Sequence, residues 1–127
     1  MEGELLKLKL DIRNMLSSRL LGAYQQLNML ARRTRGVGLV DLIIEDPLEA
    51  YNLLSSFYRE AGVDVQFLAR ELIAKPIALK MGRLELEHRI LSALLKGDRG
   101  ELESIWRELG LPAGSGGARL KYSSKVP

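Results

Sequence analysis

The sequence predicts an all-α fold, a compact bundle of five or six helices followed by a flexible basic tail, and three observations lead there. Leucine makes up about a fifth of the chain, and with Glu, Lys, Arg and Ala it gives a strongly helix-forming composition. Apolar residues recur at three- and four-residue spacing through most of the sequence. The breaks in that spacing carry helix start and stop residues: Asp46-Pro47, Asp64 and Asp98 before apolar runs, Gly62, Gly97 and Gly110 after them.

Residues 1–36 open the chain with an ambiguity. Leu6, Leu8, Leu10 and Ile12 alternate with Lys7, Lys9, Asp11 and Arg13, the period of a strand. Leu5, Leu8, Ile12, Met15 or Leu16, Leu20, Ala23, Leu27 and Leu30 also satisfy helical spacing. Helix is favoured, because a strand here has few partners elsewhere in the chain. Gly22 marks a break in this stretch or a close helix contact. Leu39 to Glu45 is strongly apolar but short, and its place just before a helix cap favours a short packing helix.

Residues 46–62 form the best-punctuated unit. Asp46 is a good N-cap, Pro47 takes the first helical position where its missing N–H costs nothing, and Glu49 stands where a capping box would reach back. Leu48, Tyr51, Leu54, Phe57 or Tyr58 and Ala61 make one face, and Gly62 stops it. Asp64 starts the next helix. Pro76 interrupts it and is expected to kink it or end it near Ala74, and Gly82 is a second weak point. Leu84 to Lys96 reads as another helix. Asp98-Arg99-Gly100-Glu101 repeats the capping-box pattern ahead of Leu102, Ile105, Trp106 and Leu109. The expected division is a helical domain over 1–112, then a Gly/Ser-rich linker and basic tail over 113–127.

Composition narrows the function classes. The chain has 127 residues, a formal net charge of +3 and no cysteine, so it has neither disulfides nor thiolate metal sites. It shows no visible signal sequence and no apolar run of membrane-spanning length, so the expected location is cytoplasmic with no membrane association. Arg outnumbers Lys and charge is abundant, a composition that suits a thermophile. A melting midpoint in the ordinary mesophile range counts against that setting.

No nucleophile elbow, phosphate loop or dinucleotide fingerprint is present, so no enzymatic activity, cofactor or small-molecule substrate is expected. Glu85-Leu86-Glu87-His88 has the Glu-x-x-His spacing of bundle metal sites. The chain has one histidine and cannot complete such a site alone, so a surface pair is the preferred reading. Arg32, Arg33 and Arg35 cluster where a helix should end, and there they complement the helix dipole. They also offer contacts to phosphate or an acidic partner, joined by Lys7, Lys9, Arg13 and Arg19 and by Arg119, Lys121 and Lys125 of the tail. Tyr51, Phe57, Tyr58, Phe67 and Trp106 are expected in the core, with Trp106 the candidate for display to another subunit.

Leu39, Asp41-Leu42, Asp46-Pro47, Tyr51, Leu54, Phe57-Tyr58, Phe67-Leu68, Leu72-Ile73 and Gly82 together resemble the small archaeal Nitrosopumilus output domain family. The resemblance covers about a third of the chain. It implies an all-helical output or interaction module of archaeal signalling proteins and carries no catalytic residues. The chain departs from the pattern at Arg59-Glu60-Ala61, at Pro76, and from Leu84 onward. The expected function is a non-enzymatic helical interaction module that docks a protein partner or a second copy. The alternative is a nucleic-acid-associated protein that holds phosphates through the Arg cluster and tail.

Overall fold

The computed structural model describes residues 2–112; the predicted linker and basic tail lie outside the described residues. Every regular element in that span is helical. In order they are α1 (Glu2–Arg19), α2 (Leu21–Arg35), α3 (Leu39–Glu45), α4 (Pro47–Tyr58), α5 (Val65–Ala69), α6 (Lys75–Lys80), α7 (Glu87–Lys96) and α8 (Arg99–Leu109). A π turn over Arg70–Ala74 joins α5 to α6, so the two are one continuous rod. Among the described residues the bundle therefore has seven helices rather than five or six. No helix among the described residues is long and apolar enough to cross a membrane.

The short helix α3 is the centre of the core. Leu42, Ile43 and Ile44 are fully buried and Leu39 and Val40 nearly so, which leaves α3 little polar surface. Each such side chain contributes about 1.5–3 kcal/mol relative to an exposed one. Around α3 lie α1, α2 and α4. The α5–α6 rod packs on α4 and α1 at its two ends, and the α7–α8 hairpin closes against the rod and α4. One hydrophobic cluster draws side chains from every helix.

The N-terminal ambiguity resolves as helix. Ile12 and Leu16 are fully inside, and Leu5 and Leu8 pack on the cluster. Leu6 and Leu10, the other leucines of the alternating run, stay 59% and 47% exposed. The break between α1 and α2 falls at Leu20, whose backbone leaves the helical region. It does not fall at Gly22, and a Cβ placed there would meet nothing within 4 Å, so Gly22 makes no close contact either.

Pro76 neither ends nor breaks its helix. The proline lacks an N–H, and its ring would press on the carbonyl one turn earlier. The π turn directly before it widens the coil, with the Lys75 N–H reaching back five residues to the Arg70 carbonyl. Leu72, Ile73 and Ala74 in the turn and Ile77 and Ala78 after it all stay buried. The rod stops at Gly82.

Trp106 is not displayed to another subunit. It is fully buried, and its Nε1–H donates to the Ile44 carbonyl at 2.7 Å. That carbonyl lies in the last turn of α3 and has no partner within its own helix, so the indole supplies one. Two other aromatics expected in the core lie outside it, Phe57 at 41% and Phe67 at 51% exposure. The buried face of α4 is instead Leu48, Ala50, Leu53, Leu54 and Ser55. After Tyr58 one 3-10 turn (Arg59–Ala61) leads to Gly62 at φ +72°, and every residue from 59 to 64 is exposed.

Candidate interaction surfaces

The basic residues singled out in the sequence have separate fates. Arg35 turns inward and makes a 2.6 Å ion pair with Glu49 on α4. Arg19 reaches Glu71 on the rod at 3.3 Å, and Lys7 pairs with Asp11 along α1 at 3.4 Å. Arg33 is exposed at the end of α2. Arg119, Lys121 and Lys125 lie outside the described residues. The three arginines of the α2 terminus therefore do not form one surface patch.

A different basic grouping forms instead. Lys9 and Arg13 of α1 and Arg32 of α2 line a groove of about 210 Å³ together with Leu6, Leu10, Tyr24, Asn28, Gly38, Val40 and Asp41. Lys9 makes a 2.8 Å ion pair with Asp41. Arg13 and Arg32 have no ion pair among the described residues, so the groove keeps an excess of positive charge. Its floor is well ordered by hydrogen bonding. The Asn28 Oδ1 accepts the Leu39 N–H at 2.8 Å, so a side chain from α2 caps α3. A Cβ added to Gly38 would lie 3.0 Å from that oxygen and 3.2 Å from an Arg32 Nη, so Arg32 rests directly over the glycine.

A second, larger groove of about 600 Å³ runs between the α5 end of the rod and α7. Leu84 and Leu95 are 55% and 41% exposed there, beside Leu91, Gln66 and Ser92. Arg70, Glu85, Glu87, His88 and Lys96 form its polar margin. The carboxylates of the Glu-x-x-His stretch are engaged elsewhere: Glu85 pairs with Arg83 at 2.6 Å and Glu87 with Arg70 at 3.0 Å. His88 is exposed. Among the described residues, no group of three or more His, Cys, Asp and Glu could hold a metal ion.

From the margin of this groove, alternating charges run on to brace the C-terminal hairpin. Arg83 bridges Glu85 and Glu108, and Arg89 bridges Glu108 and Glu101. The hydrogen bond from Arg83 lowers the Glu85 carboxyl below its ordinary range, and the bond from Arg89 does the same to Glu101. The same bonds raise both arginines. Burial raises the Tyr58 phenol, which lies 3.2 Å from the Gln26 Oε1.

The exposed leucines of both grooves escaped the sequence reading. For Leu6 and Leu10 the signal was present in the alternating run of α1, because alternation laid on a helix places leucines on two faces and only one can face the core. The Asn28 cap left no such signal, since it joins two helices whose packing the sequence does not state. No protein family, curated protein or solved structure matches this chain.

Proposed function

We propose that the chain is a non-enzymatic helical interaction module that docks a protein partner or a second copy of itself. The observation that carries this reading is the leucine-lined groove between the rod and α7, where Leu84 and Leu95 stay in water beside a charged margin. Apolar centre and polar rim is the anatomy of a protein–protein contact. The resemblance of residues 39–82 to archaeal output domains agrees with it and adds a cytoplasmic signalling setting.

Light scattering across a concentration series, with affinity capture from lysate beside it, tests the proposal. The expected result is a mass above the monomer, or a recovered partner, that is lost in Leu84→Glu/Leu95→Glu while the helical circular dichroism is kept. A strict monomer that recovers no partner overturns it.

The phosphate-binding alternative draws on Arg13, Arg32 and Arg33, which lack ion pairs among the described residues. Arg35, committed to Glu49, adds nothing to it. Its signature is duplex or RNA binding that weakens steeply with salt, and absence of binding at low salt removes it.

A further inference from the structure

The geometry points to the groove between α1, α2 and α3 as a docking site for an acidic amphipathic helix of a protein partner. This rests on the interaction-module reading but uses a different surface from the Leu84/Leu95 groove. Leu6, Leu10 and Arg13 lie at helical spacing on α1, so two exposed leucines and an unpaired guanidinium share one stripe. Arg32 faces the stripe from α2, held over Gly38 by the close approach there. From residue 6 to residue 13 the α1 wall is about 10 Å long, the rise of two helical turns.

Two features select the occupant. Arg13 and Arg32, without an ion pair among the described residues, call for carboxylates or phosphates. The exposed leucines beside them call for apolar side chains, which a phosphate backbone does not offer. A helix with leucines on one face and glutamates at its flanks satisfies both, the leucines against Leu6, Leu10 and Val40 and the glutamates against the two arginines. The Lys9–Asp41 pair bears on specificity, since Lys9 is already committed to Asp41 and leaves Arg13 and Arg32 as the groove's cations open to the acidic flanks.

The test is fluorescence anisotropy with a labelled helical peptide of about 14 residues, four turns at 3.6 residues each, carrying leucines on one face and glutamates beside them. Three comparison probes go with it: the same peptide with its leucines replaced by Gln, a short DNA duplex, and anionic vesicles. Binding of the leucine peptide is expected to weaken at least about tenfold in Leu6→Gln/Leu10→Gln and again in Arg13→Glu/Arg32→Glu. Circular dichroism confirms that each variant is folded. Equal binding of the Gln peptide, or stronger binding of duplex or vesicles, overturns the proposal, as does no peptide binding at all. If the peptide fails while the mass or partner lost in Leu84→Glu/Leu95→Glu persists, the module reading stands and this docking site does not.

Discussion

The chain starts two helices with the same four-residue pattern, Asp46-Pro47-Leu48-Glu49 and Asp98-Arg99-Gly100-Glu101, and puts them to different use. In both, the aspartate caps: Asp46 Oδ1 accepts the Glu49 N–H at 3.3 Å and Asp98 Oδ1 the Glu101 N–H at 3.0 Å. In neither does the box close. Its second bond would need the aspartate's own N–H, and that donor is already bound to the preceding helix, Asp46 to the Leu42 carbonyl and Asp98 to the Ala93 carbonyl. The freed glutamates turn to arginines on other helices, Glu49 to Arg35 and Glu101 to Arg89. A capping box between closely spaced helices thus becomes a cap plus a tertiary ion pair.

The difference is burial. Asp98 is exposed, whereas Asp46 is only 1% exposed and carries a 3.0 Å ion pair from Arg99, the first helical residue of the other motif. One helix start therefore clamps the other, next to the Trp106 indole.

The clamp is broken most severely by Arg99→Ala, which leaves the Asp46 carboxylate buried without its counter-ion. A loss of about 3 kcal/mol is expected from chemical denaturation, with Asp46→Ala costing about 2 because the orphaned Arg99 can reach water. A double-mutant cycle that finds no coupling between the two residues removes the clamp. Asp98→Ala sharpens the contrast, since it loses only an exposed cap and is expected to cost about 1 kcal/mol. A loss equal to that of Asp46→Ala would show that burial does not separate the two motifs.

The smallest effect is a pH dependence. The Glu101 carboxyl is lowered in the folded state, so its contribution is present above the ordinary carboxylate range and is lost as pH falls through the lowered value. Wild type and Glu101→Gln should therefore converge in melting temperature as the solution is acidified. Curves that stay parallel to low pH refute the linkage.

Local signals were legible wherever one residue decides the matter. The aspartate caps, Pro47 at a helix start and the glycine stops follow from backbone chemistry alone, and they place most helix boundaries. What needed the fold was any property set by a neighbouring element. Trp106 reads as one more apolar residue on a helical face, and only the nearby end of α3 makes it a buried donor. Phe57 and Phe67 obey helical spacing, yet the packing of α4 and α5 turns them outward. The Arg32–Arg35 cluster was contiguous in sequence, but the partners within reach differ along α2: Arg35, one turn after Arg32, meets the Glu49 carboxylate, while Arg32 lines the groove with Lys9 and Arg13. Pro76 announced a disturbance without saying that a π turn would absorb it.

The junction at Gly97 and Asp98 has a practical consequence for engineering. Gly97, at φ +67°, ends α7, and Asp98 both returns its N–H to α7 and caps α8 with its carboxylate. An added residue there would separate the two tasks and unfasten the Arg99 clamp with them. The stretch from 59 to 64 is exposed throughout, and a tag, fluorophore or affinity handle inserted beside Gly62 has the room that the other junction lacks.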